Sequence, residues 1–298
     1  MVHIIAEIAN AHQGCPKAAF ELAKKSAESG ADSIKFQIYT ADELLTTDHP
    51  RYEHFKDQAF LKEEWDNLLT KSKRLGVKVY ADIFGLEAYE IASSNQVDGY
   101  KIHSSDLNNT KLLEVLADQE RCVFLATGGS TLLEIRYAID KLTKFNKVSE
   151  IILLHGFQSY PTKVEDSRIS RLPKLQELFG DNIMIGYSDH IDADDKFATL
   201  LPLMTMPYGV SYIEKHVTMD RSAKGVDYYS SYEPKELEKF IEDVRLAEQS
   251  IGSNSLGFSD AEKKYRNSVK KSWTATRDIK SNTIIKPNDV AMKRPLNF

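Results

Sequence analysis

The chain has 298 residues, 42% of them hydrophobic and 28% charged, and a formal net charge of −5. Such a length can bury a large core, while the mild negative balance offers neither the basic stripe that nucleic acid requires nor a block of like charge that would mark a disordered tail. Cys15 and Cys122 cannot build a disulfide framework, no signal-peptide pattern is visible, and no apolar run is long enough to span a bilayer, so the expectation is a reduced, cytoplasmic protein without membrane or nucleic-acid partners.

From the N-terminus onward, short β-rich runs alternate with amphipathic helical patterns. Strands are predicted over Val2–Ile8, Ser33–Ile38, Val77–Ile83, Gly99–His103, Val123–Thr127, Ile151–His155, Ile183–Ser188 and Tyr212–His216. The intervening helical patterns are Lys17–Ser29, Glu64–Arg74, Leu86–Ser93, Lys111–Asp118, Leu132–Phe145, Ser170–Phe179, Asp194–Met204 and Pro234–Ile251. Eight β-then-α units with no run of hairpins between them point to an α/β chain closed into a (β/α)8 TIM barrel over residues 1–252, although a doubly wound sheet would alternate similarly. Ser253, Asn254, Ser255 and Gly257 mark a linker, and a basic helical stretch, Glu262–Lys271, completes the segment 253–271. In the last segment, 272–298, Trp273–Ile279 and Thr283–Pro295 read as strand, turn and strand, too short to hold a core of their own.

In a parallel α/β protein the ligand lies at the carboxyl ends of the strands. The tip positions taken as inward are Glu7, Lys35 with Gln37, Asp82, Lys101 with His103, Thr127, His155, Ser188 with His190, and Glu214 with His216. Residues two apart on a strand share a face, so Lys35 with Gln37, and Glu214 with His216, would point together into the barrel. A single strand lysine is usually solvated, and a single strand histidine is usually hydrogen-bonded in the core, which is the reading taken for His103 and His155. The pair His190 and His216 is read instead as a divalent-metal site, and Glu7 as a carboxylate that orients neighbouring cations. Two imidazoles leave most positions of a six-coordinate ion open to water and substrate oxygen, which suits Mn²⁺ or a similar Lewis acid. Lysines supply point charges for phosphate and carboxylate.

Several stretches match a known family in the right order: Ala-Glu-Ile-Ala-Asn-Ala-His-Gln-Gly at 6–14, Ser-Ile-Lys-Phe-Gln at 33–37, Tyr-Lys-Ile-His-Ser-Ser-Asp at 100–106 and Ala-Thr-Gly-Gly at 126–129. Ser-Tyr-Pro-Thr at 159–162, Gly-Tyr-Ser-Asp-His at 186–190, Ile-Glu-Lys-His-Val-Thr at 213–218 and Gly-Val-Asp-Tyr at 225–228 follow. With these the chain resembles the phosphoenolpyruvate-dependent sialic acid synthases, which make N-acetylneuraminate and related nonulosonates.

The resemblance implies a (β/α)8 barrel in which His190 and His216 hold a divalent ion, Mn²⁺ first, with Mg²⁺ or Co²⁺ as alternatives. Lys35, Lys101, Ser104 and Ser188 would bind phosphoenolpyruvate, and Glu7 takes the place of the catalytic glutamate. Tyr160 and Asp227 fall where the family contacts the acceptor sugar, Asp106 stands where it has a related acid, and Gln37 is counted with the substrate-binding residues. In the family reaction C3 of phosphoenolpyruvate attacks the aldehyde of an open-chain amino sugar, water adds at C2, and phosphate leaves. The family is dimeric, so a homodimer is expected.

Three positions depart from the pattern: Asp82 replaces a threonine, Ala126 a serine and Gln158 an asparagine. A carboxylate about 4 Å from an anionic donor would cost about 4 kcal/mol at an effective dielectric near 20 unless a lysine intervenes. Ser272–Pro295 resembles only the opening of the family's antifreeze-like domain. Two alternatives remain beside the condensing enzyme: a pyruvate-dependent aldolase, with a lysine such as Lys101 forming a Schiff base, and a non-catalytic sugar-acid-binding scaffold.

Overall fold

A computed structural model describes residues 1–180 and 183–295. The chain folds as two compact units, Met1–Ile251 and the stretch from Gly252 onward. In the first, the strands β1 (His3–Glu7), β2 (Ser33–Ile38), β3 (Lys78–Ile83), β4 (Gly99–Ile102), β5 (Cys122–Ala126), β6 (Ile151–His155), β7 (Ile183–Asp189) and β8 (Tyr212–His216) follow one another around a closed barrel. Every pairing is parallel, and β1 hydrogen-bonds to both β2 and β8, which closes the ring and excludes the open doubly wound sheet.

The strands are buried on both faces, as parallel strands under helices must be. Outward residues such as Ile4, Ile34, Val79, Ile102, Val123 and Ile213 join Leu22, Trp65, Leu112, Ile135 and Leu237 of the helices in the main core. Inward residues Ile5, Tyr80, Cys122, Phe124, Ile152, Leu154 and Tyr212 form a separate apolar floor. The Phe124 ring lies 4.9 Å from that of Tyr80 and 5.1 Å from that of Tyr212. Gly186 faces the same interior, where a Cβ would come within 2.6 Å of Leu154 Cδ2. Side-chain oxygens start several helices: Thr131 and Glu134 form a reciprocal cap on Leu132–Leu142, and Pro16 occupies the first turn of Pro16–Glu28.

The connection from β2 to β3 holds two helices that the sequence pattern did not reveal, Ala41–Leu44 and Tyr52–Gln58. Both are too short to show a 3.6-residue period; the first is set by Thr40, whose hydroxyl accepts from Glu43 N at 3.3 Å. In the second unit the predicted strands contract to β9 (Ser272–Ala275) and β10 (Val290–Lys293), an antiparallel pair preceded by the helix Asp260–Val269. Pro287 begins a single 3₁₀ turn, and Asp289 accepts from Lys286 N at 2.9 Å and Arg277 Nε at 2.8 Å, so much of 283–290 is turn instead of strand. Residues 296–298, the end of the last predicted segment, lie outside the described residues. Among the described residues no helix is long and apolar enough to cross a membrane.

The floor carries a direct expectation. Phe124→Ala removes a fully buried ring from between two others and should lower unfolding free energy by about 3–5 kcal/mol in a denaturant titration. A loss below about 1 kcal/mol would contradict this packing.

Candidate active site

Above the floor the barrel interior turns from apolar to ionic. The inward alternation that puts Ile5, Tyr80 and Tyr212 in the floor puts Glu7, Asp82 and Glu214 two residues further along, with Lys35 on β2 and Lys101 on β4 beside them. All five side chains are essentially removed from solvent. Lys35 Nζ contacts the Glu7 carboxylate and lies 3.2 Å from Glu214 Oε2 and 3.4 Å from Asp82 Oδ2. Lys101 Nζ lies 2.8 Å from Glu214 Oε1 and 3.2 Å from Asp82 Oδ2. Ser188 Oγ donates to Glu214 Oε1 at 2.8 Å, and Ala9 N donates to Glu7 Oε1 at 2.8 Å.

The two lysines differ in their surroundings. Burial pushes Lys35 down to about 8, against the pull of Glu214 and Asp82. Burial also opposes the charge on Lys101, but Asp82 and Glu214 more than offset it and hold that ammonium well above the usual lysine range. Glu214 in turn is kept well below the usual carboxylate range by Lys101 and Lys35 in spite of its burial. Two ammonium groups thus face three carboxylates, a formal excess of one negative charge.

Next to this network lie His190 and His216, their ring centroids 5.2 Å apart. Tyr160 packs edge-on against both, at 4.9 Å and 5.3 Å, and its hydroxyl is 3.5 Å from His216 Nε2. Burial drives His190 down to about 3, and burial together with the neighbouring His190 drives His216 well below its usual range, so both rings are neutral with lone pairs to offer. Asp227, 3.9 Å from His216 Nδ1, is raised to about 6 by burial. His190 Nδ1 has no hydrogen-bond partner among the described residues. Paired neutral imidazoles beside a net negative network fit a divalent cation. Among the described residues no cluster of three or more His, Cys, Asp or Glu could hold an ion, so an ion at this pair would take its remaining ligands from water and substrate.

The predicted site residues therefore fall into several groups. Glu7, Lys35, Asp82, Lys101 and Ser188 meet in the ionic network, and Tyr160, His190, His216 and Asp227 form the imidazole cluster. Ser104 Oγ donates to Gln158 Oε1 at 2.8 Å. Gln37 is the register partner of Asp82. Asp106 is committed locally, accepting from Ser105 Oγ at 2.9 Å and Asn109 Nδ2 at 3.0 Å. Two tips taken as inward are not: Phe124 and Leu154 face the interior, so alternation sends Thr127 and His155 outward, and His155 Nε2 bonds the Ser167 carbonyl at 3.1 Å. His103, two residues beyond Lys101, has its Nδ1 engaged locally, 3.0 Å from the Ser105 hydroxyl. Glu214 is the hub that bridges both lysines and Ser188, a role the sequence pattern does not reveal. What the sequence does signal is its position two residues before His216 on one strand.

The NeuB family matches residues 22–255 of the chain. An uncharacterized protein of Methanocaldococcus jannaschii is 32% identical over 98% of this chain and 84% of its own length. The N,N'-diacetyllegionaminic acid synthase of Legionella pneumophila is 31% identical over 98% of this chain and 85% of its own length. Among solved structures, N-acetylneuraminic acid (sialic acid) synthetase from Leptospira borgpetersenii, in complex with citrate, superimposes with a TM-score of 0.81 at 31% identity, over 90% of this chain and 92% of that one. The chain belongs to the NeuB family, the sialic acid and nonulosonate synthases, and is an enzyme of that class.

Proposed function

We propose that the barrel mouth condenses phosphoenolpyruvate with the open-chain form of an aldose, an amino sugar such as N-acetylmannosamine or a relative, to give a 2-keto-3-deoxy sugar acid and inorganic phosphate. The observation that carries this reading is the meeting of buried lysines and paired neutral imidazoles at one mouth, in a chain whose relatives include sugar-acid synthases. A new bond joins C3 of the donor to the aldehyde carbon, water adds at C2, and the C–O bond to phosphate breaks.

Lys101, held protonated, serves as a fixed charge for the donor's carboxylate or phosphate, and Lys35 lies across Asp82 from it. The acid at 82, which would repel an anionic donor if alone, is within 3.4 Å of both ammonium groups, so the repulsion is largely answered in place. The Ser188 hydroxyl, now given to Glu214, is positioned to turn to a donor oxygen. Glu7 orients or deprotonates the attacking water or a sugar hydroxyl, a role worth about 10²- to 10⁴-fold. A divalent ion held by His190 and His216, Mn²⁺ first, would supply Lewis acidity toward an aldehyde carbonyl. Tyr160 and Asp227 border the same imidazoles and contact the acceptor.

Phosphate release from phosphoenolpyruvate, measured with Mn²⁺ and a panel of six-carbon amino and neutral aldoses, should appear with at least one sugar and vanish with EDTA. Glu7→Gln should lower kcat by about 10²- to 10⁴-fold with the donor KM little changed. Absence of turnover with every sugar would overturn the reading. The pyruvate-aldolase alternative needs a neutral lysine nucleophile, and Lys101 is held in the opposite state. Borohydride reduction in the presence of pyruvate should therefore leave Lys101 unmodified; an adduct on Lys101 or on Lys35 would favour the aldolase.

A further inference from the structure

The Ala-Thr-Gly-Gly turn at 126–129 and two arginines, Arg168 and Arg171, take no part in the chemistry above. They meet in a cavity of about 250 Å³ at the carboxyl ends of β5 and β6. Gly128 and Gly129 line it, and neither backbone amide has a hydrogen-bond acceptor among the described residues. Arg221 and Arg245 form ion pairs with acids elsewhere on the barrel, whereas Arg168 and Arg171 join none among the described residues. Asp166 is the one acid in the lining, leaving a formal excess of one positive charge, and His155, also in the lining, has its Nε2 engaged by the Ser167 carbonyl.

Unengaged amides of consecutive residues near guanidinium groups are the chemistry of oxyanion recognition, and arginine matches a phosphate's oxygens two at a time. A cavity of this size lies below the usual range of about 300–1,000 Å³ for organic ligands, which suits a tetrahedral anion or the phosphorylated end of a longer molecule. The space is one side chain from the donor region: a Cβ on Gly128 would lie 2.8 Å from Gln158 Oε1, and that same oxygen accepts from Ser104.

We propose that this cavity is a second anion subsite, built from the Gly128–Gly129 turn with Arg168 and Arg171, that binds a phosphate dianion at the carboxyl ends of β5 and β6. The phosphate comes either from the leaving group of the reaction or from a phosphorylated substrate. The assignment does not require that the condensation reading be correct, because binding can be read without turnover.

Inorganic phosphate titrated into the metal-free full chain, followed by calorimetry or ³¹P line broadening, is the first measurement. Arg168→Gln with Arg171→Gln should weaken phosphate binding at least tenfold while Lys101→Met leaves this subsite occupied. Arg171→Gln alone, at the exposed start of the helix Arg171–Phe179, gives the same reading if the double variant does not fold. Comparing N-acetylmannosamine with its 6-phosphate separates the sources. A phosphorylated sugar that binds at least tenfold tighter, with the advantage lost in the arginine variants, assigns the subsite to a substrate phosphate. An effect confined to inorganic phosphate assigns it to the leaving group. Phosphate binding that survives the arginine substitutions and disappears in Lys101→Met would overturn the proposal.

Discussion

Five ionisable side chains share the water-poor centre of the barrel, and the arrangement holds because each stands against a partner of opposite type. Withdrawing a carboxylate or ammonium from water costs several kcal/mol even after relaxation, and only close, well-formed pairing repays it. Glu214 is the member on which the rest turns: one oxygen faces Lys35, the other faces Lys101 and accepts from Ser188. Removing one partner of such a set leaves a buried charge unpaired, a loss of about 3–5 kcal/mol. The strand register is tied to the same requirement, since Glu7 sits opposite Lys35, Asp82 opposite Lys101 and Ser188 opposite Glu214. A slip of one residue would turn these charges into the apolar layer beneath the helices.

The network also divides labour. Lys101 is flanked by carboxylates strongly enough to stay charged, while burial weighs more heavily on Lys35. At the imidazoles burial outweighs the pull of Glu214, and both rings remain neutral. One enclosed volume therefore contains a firmly held ammonium at Lys101, a firmly held carboxylate at Glu214 and neutral nitrogen bases at His190 and His216, sorted by burial and by the charges beside each. The formal excess of negative charge in the lysine network makes the field at the neighbouring imidazoles favourable to a cation.

The eight strands were legible because each is a short apolar run that must be buried on both faces, and their order needed no long-range information. The mouth was legible for a related reason: an apolar run that turns ionic or imidazole-bearing at its C-terminal end is hard to explain as packing, as in Tyr-Ile-Glu-Lys-His at 212–216. Facing was less secure where strand ends could not be placed to the residue. Thr127 and His155 sit one step beyond the inward Ala126 and Leu154, and a single residue reverses the face. The helices Ala41–Leu44 and Tyr52–Gln58 depend on a cap and on tertiary contacts such as the Tyr52 hydroxyl donating to Asp42 Oδ1 at 2.5 Å. The hub role of Glu214 depends on lysines brought from β2 and β4, more than a hundred residues away in sequence, which no local pattern encodes.

The barrel interior is chemically one-sided, and this sets where specificity can reside. β1, β2, β3, β4, β7 and β8 place ionic, hydroxyl or imidazole groups at their inward tips, whereas β5 and β6 contribute Phe124, Ala126, Ile152 and Leu154. Hydrogen-bond donors for an anion on the β5–β6 side must therefore come from the loops above these strands: backbone amides, the Ser104–Gln158 pair and the arginines that follow. Rigid strands hold the charges common to the chemistry, and loops tolerate exchange of side chains at little cost to the fold. Gln158 belongs to the loop layer, its side chain bonded to Ser104 and packed beside Gly128, so its replacement would reshape the anion side of the mouth while the lysine–carboxylate register below stayed in place.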